Sequence, residues 1–248
     1  MQTADPAPDI KVHDDPEAVA RAAARRFVRL AAEAIADHGA FSVALAGGST
    51  PKRIYELLAT DDEFEDKVDW RNTHVFFGDE RTVPPDHADS NFRMAHEALL
   101  SRVPLPAENV HPMKGTGDAA ANASLYEDDL RSFFGGEEWP RFDLVMLGMG
   151  DDGHTASLFP STEALKESRA WVVSNWVEKF DTWRITLTAP AINHARHVLF
   201  TVTGAAKADR LREVLSGARD PERLPSQSIQ PVAGTLEWFV DKAAAAKL

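Results

Sequence analysis

The stretch FDLVMLGMGDDGHTASLFP, residues 142–160, concentrates side chains that could do chemistry. Gly148, Gly150 and Gly153 spell G-x-G-x-x-G behind an apolar run, with Asp151, Asp152 and His154 between and beyond them. Three readings compete. A dinucleotide loop would lay a pyrophosphate on backbone N–H groups at a helix start, but two carboxylates inside the loop oppose a diphosphate. The ribose-binding acid expected about 20 residues on, at the end of the next strand, is also missing. The next apolar run, WVVSNW, ends without one, and Glu163 and Glu167 lie earlier, in a helix. A plain structural turn would need the glycines only for close packing. In the third reading the glycines let the backbone turn sharply while Asp152 and His154 point into a cleft. Histidine is the natural general base for water near neutral pH, and a nearby carboxylate fixes its tautomer and raises its basicity.

Other segments carry compatible groups. In LAGGSTP, Gly47 and Gly48 permit tight turns, and Ser49 and Thr50 add hydroxyls at a helix start. Free N–H groups there, with the helix dipole, form an anion site; the same residues also read as a capped helix after a strand. The spacing is not that of a Walker loop, and Pro51 stands where a nucleophile elbow needs its last glycine. In FFGDERTVPPDHADSN, Asp79, Glu80 and Arg81 follow a strand. They read as a solvated turn, or as an anion-binding or oxyanion-steadying Arg81 beside an acid/base group, Asp79 or Glu80. Lys207 at a later helix start and Arg184 opening RITLTAP offer further positive charge, although either alone reads as a surface cation. Metal binding is poorly supported: of nine scattered histidines only His194 and His197 are close, with no acid beside them.

These residues need a frame. DDPEAVARAAARRFVRLAAEAIADHG reads as a helix capped by Asp15, with Pro16 in its first position and Gly39 as its stop. FSVALAGG is a buried strand, and STPKRIYELLA a second helix capped by Ser49 or Thr50, with Pro51 first. HVFFGDE, FDLVMLG, RITLTAP and HVLFTVTG are strand-like. DSNFRMAHEALLSR, DAAANASLYEDDLRSFF and AAKADRLREVLSG are helical, and GTLEWFVDKAAAAKL passes from a strand into a short terminal helix. Strands alternating with helices predict an α/β fold, a mainly parallel sheet covered on both faces. Ligands gather at the carboxyl ends of such strands. That rule places Gly47–Thr50, Gly78–Arg81, Gly148–His154 and Gly204–Lys207 at one edge.

The bulk composition narrows the functions. No composition shift or repeat divides the 248 residues, which read as a single domain over 1–248 with a flexible tail at 1–9. A net charge of -12 argues against nucleic acid and anionic lipid as partners. The absence of cysteine excludes disulfides, thiol nucleophiles and thiolate metal sites. No apolar run is long enough to span a membrane, and the polar, Pro-rich start is unlike a signal peptide, so a cytoplasmic protein is expected.

Several segments together resemble the 6-phosphogluconolactonase family, the sugar-phosphate lactonases of the oxidative pentose phosphate pathway. They are ALAGGSTPKRIYELL, FFGDERTVPPDHADSNFRMAHEALL, FDLVMLGMGDDGHTASLFP, RITLTAPAINHARHVLFTVTGAAKADRL and LEWFVDKAA, collinear from about residue 10 to 245. The resemblance implies a Rossmann-like sheet, a phosphosugar lactone as substrate, no cofactor, and a monomer or small homo-oligomer. It implies a phosphate loop at Gly47, Gly48, Ser49 and Thr50, substrate-contacting cations at Arg81, Arg184 and Lys207, and a catalytic His154 with Asp152 two residues before it. The wider superfamily includes glucosamine-6-phosphate deaminase, in which an acid follows the DGH motif in a stretch resembling DGHIAFNEP. Here Phe159 takes that place, which favours lactone hydrolysis over deamination or isomerisation. Asp79 matches the deaminase's proton-abstracting acid, a role that lactone hydrolysis does not need. A non-catalytic sugar-phosphate sensor is the remaining alternative.

Overall fold

A computed structural model describes residues 9–248. The tail expected over residues 1–9 lies outside them except for Asp9, which already opens a strand. In chain order the elements are β1 (Asp9–His13), α1 (Pro16–His38), β2 (Phe41–Leu45), α2 (Ser49–Thr60), β3 (Thr73–Phe77), β4 (Asp79–Arg81), α3 (Asn91–Ala95) and α4 (Ala119–Phe134). There follow β5 (Leu144–Leu147), β6 (Val172–Val177), β7 (Thr182–Leu187), α5 (Ala189–Asn193), β8 (His197–Val202), α6 (Ala208–Ser216) and β9 (Thr235–Asp241).

The α1 helix obeys its sequence signals. The Asp15 side chain accepts from the Ala18 N–H at 2.8 Å, Pro16 needs no partner for its nitrogen, and Gly39 ends the helix in the left-handed region at φ 87. Val19, Ala20, Ala23, Ala24, Phe27, Leu30, Ala31 and Ala34 form one buried stripe at helical spacing. Phe27 meets Phe41 of β2 edge-on at 5.2 Å. Truncating so enclosed a ring to alanine costs about 3–5 kcal/mol.

Six strands form a wholly parallel sheet in the order β1-β9-β8-β5-β2-β3. From β2 the chain crosses to β3 on one side; from β5 it returns to β8 on the other. Their divergence opens a crevice beyond the carboxyl ends of β2 and β5, the place where open α/β sheets bind ligands. Right-handed crossovers running in opposite directions put α1 and α2 on one face and α6 on the other. No helix among the described residues is long and apolar enough to cross a membrane.

Four local expectations change. The cap of α2 is Gly48, not Ser49 or Thr50, because its φ of 105 suits glycine; Ser49, Thr50 and Pro51 form the first turn. The residues after β9 make turns around Asp241, whose carboxylate accepts from Ala244 N–H at 2.7 Å, since so short a run cannot sustain a helix. Glu163 and Glu167 do not share a helix: Glu163–Lys166 is one 3₁₀ turn that stops short of Glu167. A second, antiparallel sheet, β4-β7-β6, was not foreseen, because Asp79–Arg81 is short and charged and carries no strand signature.

Candidate active site

His154 lies in the loop after β5, and the glycines there have separable roles. A Cβ on Gly150 would fall 2.0 Å from His154 Nδ1, so only glycine lets the imidazole lie against that backbone. Gly153 turns the chain at φ 84. Its carbonyl accepts from the N–H and hydroxyl of Ser226, each at 2.9 Å, which anchors the loop from below. Gly148 has nothing within 4 Å of its absent Cβ, so the fingerprint spacing is fortuitous.

The imidazole is held on two sides. His154 Nδ1 is 2.6 Å from Asp152 Oδ1. An ionised carboxylate only accepts, so Nδ1 carries the proton and Nε2 keeps its lone pair. Burial pushes the Asp152 carboxyl up, but hydrogen bonds from His154 and Lys179 outweigh it and hold it well below the usual carboxylate range. Lys179 Nζ donates to the other oxygen, Oδ2, at 2.9 Å. The Phe159 ring stacks on the imidazole, with centroids 4.0 Å apart and planes at 24°.

The loop after β2 is the segment expected to bind an anion. Gly47 packs so closely on Asn91 that a Cβ would reach its Oδ1 at 2.0 Å. Buried Tyr55 donates its hydroxyl to Ala46 O at 2.9 Å and accepts from Ala46 N–H at 3.0 Å, fixing the strand exit. Among the described residues no side chain caps the first turn of α2, which leaves its N–H groups open to an anion. Thr50 Oγ1 bonds Thr203 Oγ1 at 2.9 Å, joining this loop to the one after β8. There Gly204, at φ 96, donates its N–H to the buried Asp241 carboxylate at 3.0 Å, and Lys207 ends the turn paired with Asp151.

β4 contributes charges of different kinds. Glu80 is buried and accepts from the N–H groups of Arg81, Asn91 and Phe92 and from the Ser90 hydroxyl, so it braces the 90–92 turn. Asp79 accepts from Ser157 Oγ at 2.6 Å and from Asn91 Nδ2 at 3.2 Å. It thereby ties the His154 loop to Asn91, which in turn backs Gly47. Arg81 and Arg184 stand opposite each other in the β4–β7 register. Arg81 donates to the Asp89 carbonyl, while Arg184 Nε and Nη1 are buried without a partner among the described residues. Burial, then the neighbouring Arg81 charge, weakens the hold of Arg184 on its proton. Buried guanidinium donors such as those of Arg184 suit a planar oxyanion.

The anticipated residues thus lie on the segments after β2, β5 and β8 and on β4 and β7, which hydrogen bonds and ion pairs tie to one another. Sequence reasoning passed over Asn91, Ser157, Lys179 and Asp241. Asn91 and Ser157 lie inside quoted motifs, where their partner Asp79 was the available hint. Lys179 had no signal, because it lies within an unforeseen turn between β6 and β7. Among the described residues no cluster of acids and histidines could hold a metal ion.

A family model described as glucosamine-6-phosphate isomerases/6-phosphogluconolactonase matches residues 14–238. The chain belongs to this family. A 6-phosphogluconolactonase of Nostoc is 48% identical over 219 residues, covering 87% of this chain and 88% of that protein. The Synechocystis 6-phosphogluconolactonase is 46% identical over 220 residues, covering 87% and 88%. A solved 6-phosphogluconolactonase from Trypanosoma cruzi superposes with a TM-score of 0.86 at 31% identity, over 100% of this chain and 99% of that one. Family membership agrees with the fold.

Proposed function

We propose that this protein hydrolyses 6-phospho-D-glucono-1,5-lactone to 6-phospho-D-gluconate, with His154 activating the water. The observation that carries the mechanism is the Asp152–His154 bond, which leaves Nε2 as the free base. The substrate phosphate docks on the first turn of α2, Gly47–Thr50, and on Lys207, which exchanges Asp151 for the phosphate. Docking sets the lactone carbonyl beside His154. Nε2 takes a proton from water, and the oxygen attacks the carbonyl carbon. Arg81 and Arg184 balance the charge that develops on the carbonyl oxygen. The tetrahedral intermediate collapses with cleavage of the ring C–O bond, and the imidazolium returns its proton to the departing ring oxygen.

Asp152 stays ionised through the cycle, stabilises the imidazolium and holds the ring orientation. Asp79 acts by bracing the loop through Ser157. No covalent nucleophile is needed, since a δ-lactone is already an activated ester and one positioned base contributes roughly 10²–10⁴-fold. The alternative deaminase chemistry wants an acid near the imidazole, and the place is filled by Phe159 stacked on the ring.

The test is direct. The lactone is generated from glucose 6-phosphate with its dehydrogenase, and its disappearance is timed with and without the protein. Acceleration with stoichiometric 6-phosphogluconate supports the reading; an unchanged spontaneous rate, or ammonia release from glucosamine 6-phosphate instead, rejects it.

A further inference from the structure

We propose that Lys179 is a positioning residue for this reaction: by holding the second oxygen of Asp152 it fixes the carboxylate that orients His154 and tempers the pull of that carboxylate on the imidazolium. The inference rests on His154 being the base of the lactone hydrolysis. It begins from the turn between β6 and β7, Glu178–Phe180, closed by Asp181 in the left-handed region at φ 48. This turn touches both supports of the imidazole. Lys179 Nζ is 2.9 Å from Asp152 Oδ2, while Asp152 Oδ1 is 2.6 Å from His154 Nδ1. The adjacent Phe180 ring meets Phe159 edge-on at 5.7 Å, and Phe159 stacks on His154 at 4.0 Å. Two neighbouring residues of one turn therefore reach the catalytic ring, one through a carboxylate and one through an aromatic face.

The physical consequence has a definite sign. A carboxylate stabilises an imidazolium beside it; an ammonium on the same carboxylate withdraws part of that stabilisation and adds its own repulsion. Removing the ammonium is therefore expected to strengthen the hold of the carboxylate on the imidazolium. The carboxylate is held ionised by both partners, so it does not itself become the acid. The other charged groups around the loop are Asp151 paired with Lys207, Arg210 on the Asp151 carbonyl, Glu163 and Glu178, which line the same cavity as Asp152 and Lys179, and Asp79, Arg81 and Arg184 on the second sheet. None of these bonds Asp152 or the imidazole in the structure, which leaves Lys179 as the cation directly coupled to the pair.

The test compares Lys179→Met with Lys179→Arg. Methionine keeps the packing over Phe180 but removes the charge; arginine keeps the charge. The His154 ring is titrated by NMR, and kcat/KM for the lactone is followed against pH. In Lys179→Met, the His154 titration and the acid limb of kcat/KM are expected to move up together by about half a pH unit, with KM near the parent value and Lys179→Arg restoring both. An unmoved titration in Lys179→Met overturns the proposal, as does a raised KM with an unmoved limb, which would make Lys179 a substrate-binding cation. A titration that moves while the rate profile stays put would overturn His154 as the base and leave the Lys179 coupling in place.

Discussion

The Phe159 ring lies over the His154 imidazole at a centroid separation of 4.0 Å, with the two planes 24° apart. Phe159 is itself buried, so the contact covers one face of the base and limits the rotation of the ring. An aromatic pair of this kind is worth about 0.5–1.5 kcal/mol beyond area burial. Phe159→Ala is therefore expected to lower kcat by roughly 3–10-fold, with little change in KM. Steady-state kinetics at saturating lactone check this; an undiminished kcat would mean the stack does not orient the base.

Gly150 and Gly148 separate a packing requirement from a coincidence of spacing. A methyl group at Gly150 would meet His154 Nδ1 at 2.0 Å, while one at Gly148 would meet nothing within 4 Å. Gly150→Ala must push the imidazole aside, and a misplacement of about 1 Å can cost on the order of 10²-fold in rate. Gly148→Ala is expected to retain nearly full activity. Equal activity in the two variants would contradict the assigned geometry.

The frame was more legible in the sequence than the site. α1 announced itself through Asp15, Pro16 and Gly39, and the apolar runs 41–45 and 144–147 became central strands because buried parallel strands are apolar on both faces. The strand-end rule then placed Gly47–Thr50, Gly148–His154 and Gly204–Lys207 after β2, β5 and β8, whereas Gly78–Arg81 runs into β4. The second sheet stayed hidden because β4 is three charged residues whose pairing with β7 is decided by tertiary contact. Lys179 stayed hidden with it, since its partner Asp152 lies 27 residues earlier. The cap of α2 was misplaced because serine and threonine are common caps, and only the backbone angle at Gly48 reveals which residue turns the chain.

Lys207 and Asp151 allow the phosphate role to be tested apart from the chemistry. Lys207 pairs with Asp151 in the structure, and that contact holds the Asp151 carboxyl below its ordinary range. Lys207→Ala should raise KM for the phosphorylated lactone while leaving the much weaker reaction of unphosphorylated gluconolactone almost unchanged. Asp151→Asn should lower KM a few-fold, because a competing and repelling charge is removed and exposed pairs are worth up to about 1 kcal/mol. Parallel loss on both lactones in Lys207→Ala would argue against a phosphate contact.

His197 gives the fold an acid sensitivity. Its Nδ1 accepts from Thr235 Oγ1 at 2.8 Å and faces Arg26 Nη2 at 3.4 Å. Burial, and after it the Arg26 charge, lowers its pKa from the ordinary 6.5. A histidine lowered in the folded state binds its proton more readily when unfolded, so it adds no penalty above about pH 6.5 and destabilises the fold increasingly as the pH falls below that value. His197→Gln keeps an acceptor without the titration. Its stability, followed by urea unfolding, should decline less between pH 6.5 and 5 than that of the parent; the same slope in both would remove His197 from the account.

The central claim is that His154 is the base and that phosphosugar binding is separate from it. The most direct measurement is His154→Gln in the timed lactone assay, with 6-phosphogluconate binding followed by calorimetry. Turnover should fall by roughly 10²–10⁴-fold while product affinity stays within a few-fold of the parent. Turnover close to the parent value, or loss of binding in step with loss of rate, would contradict it.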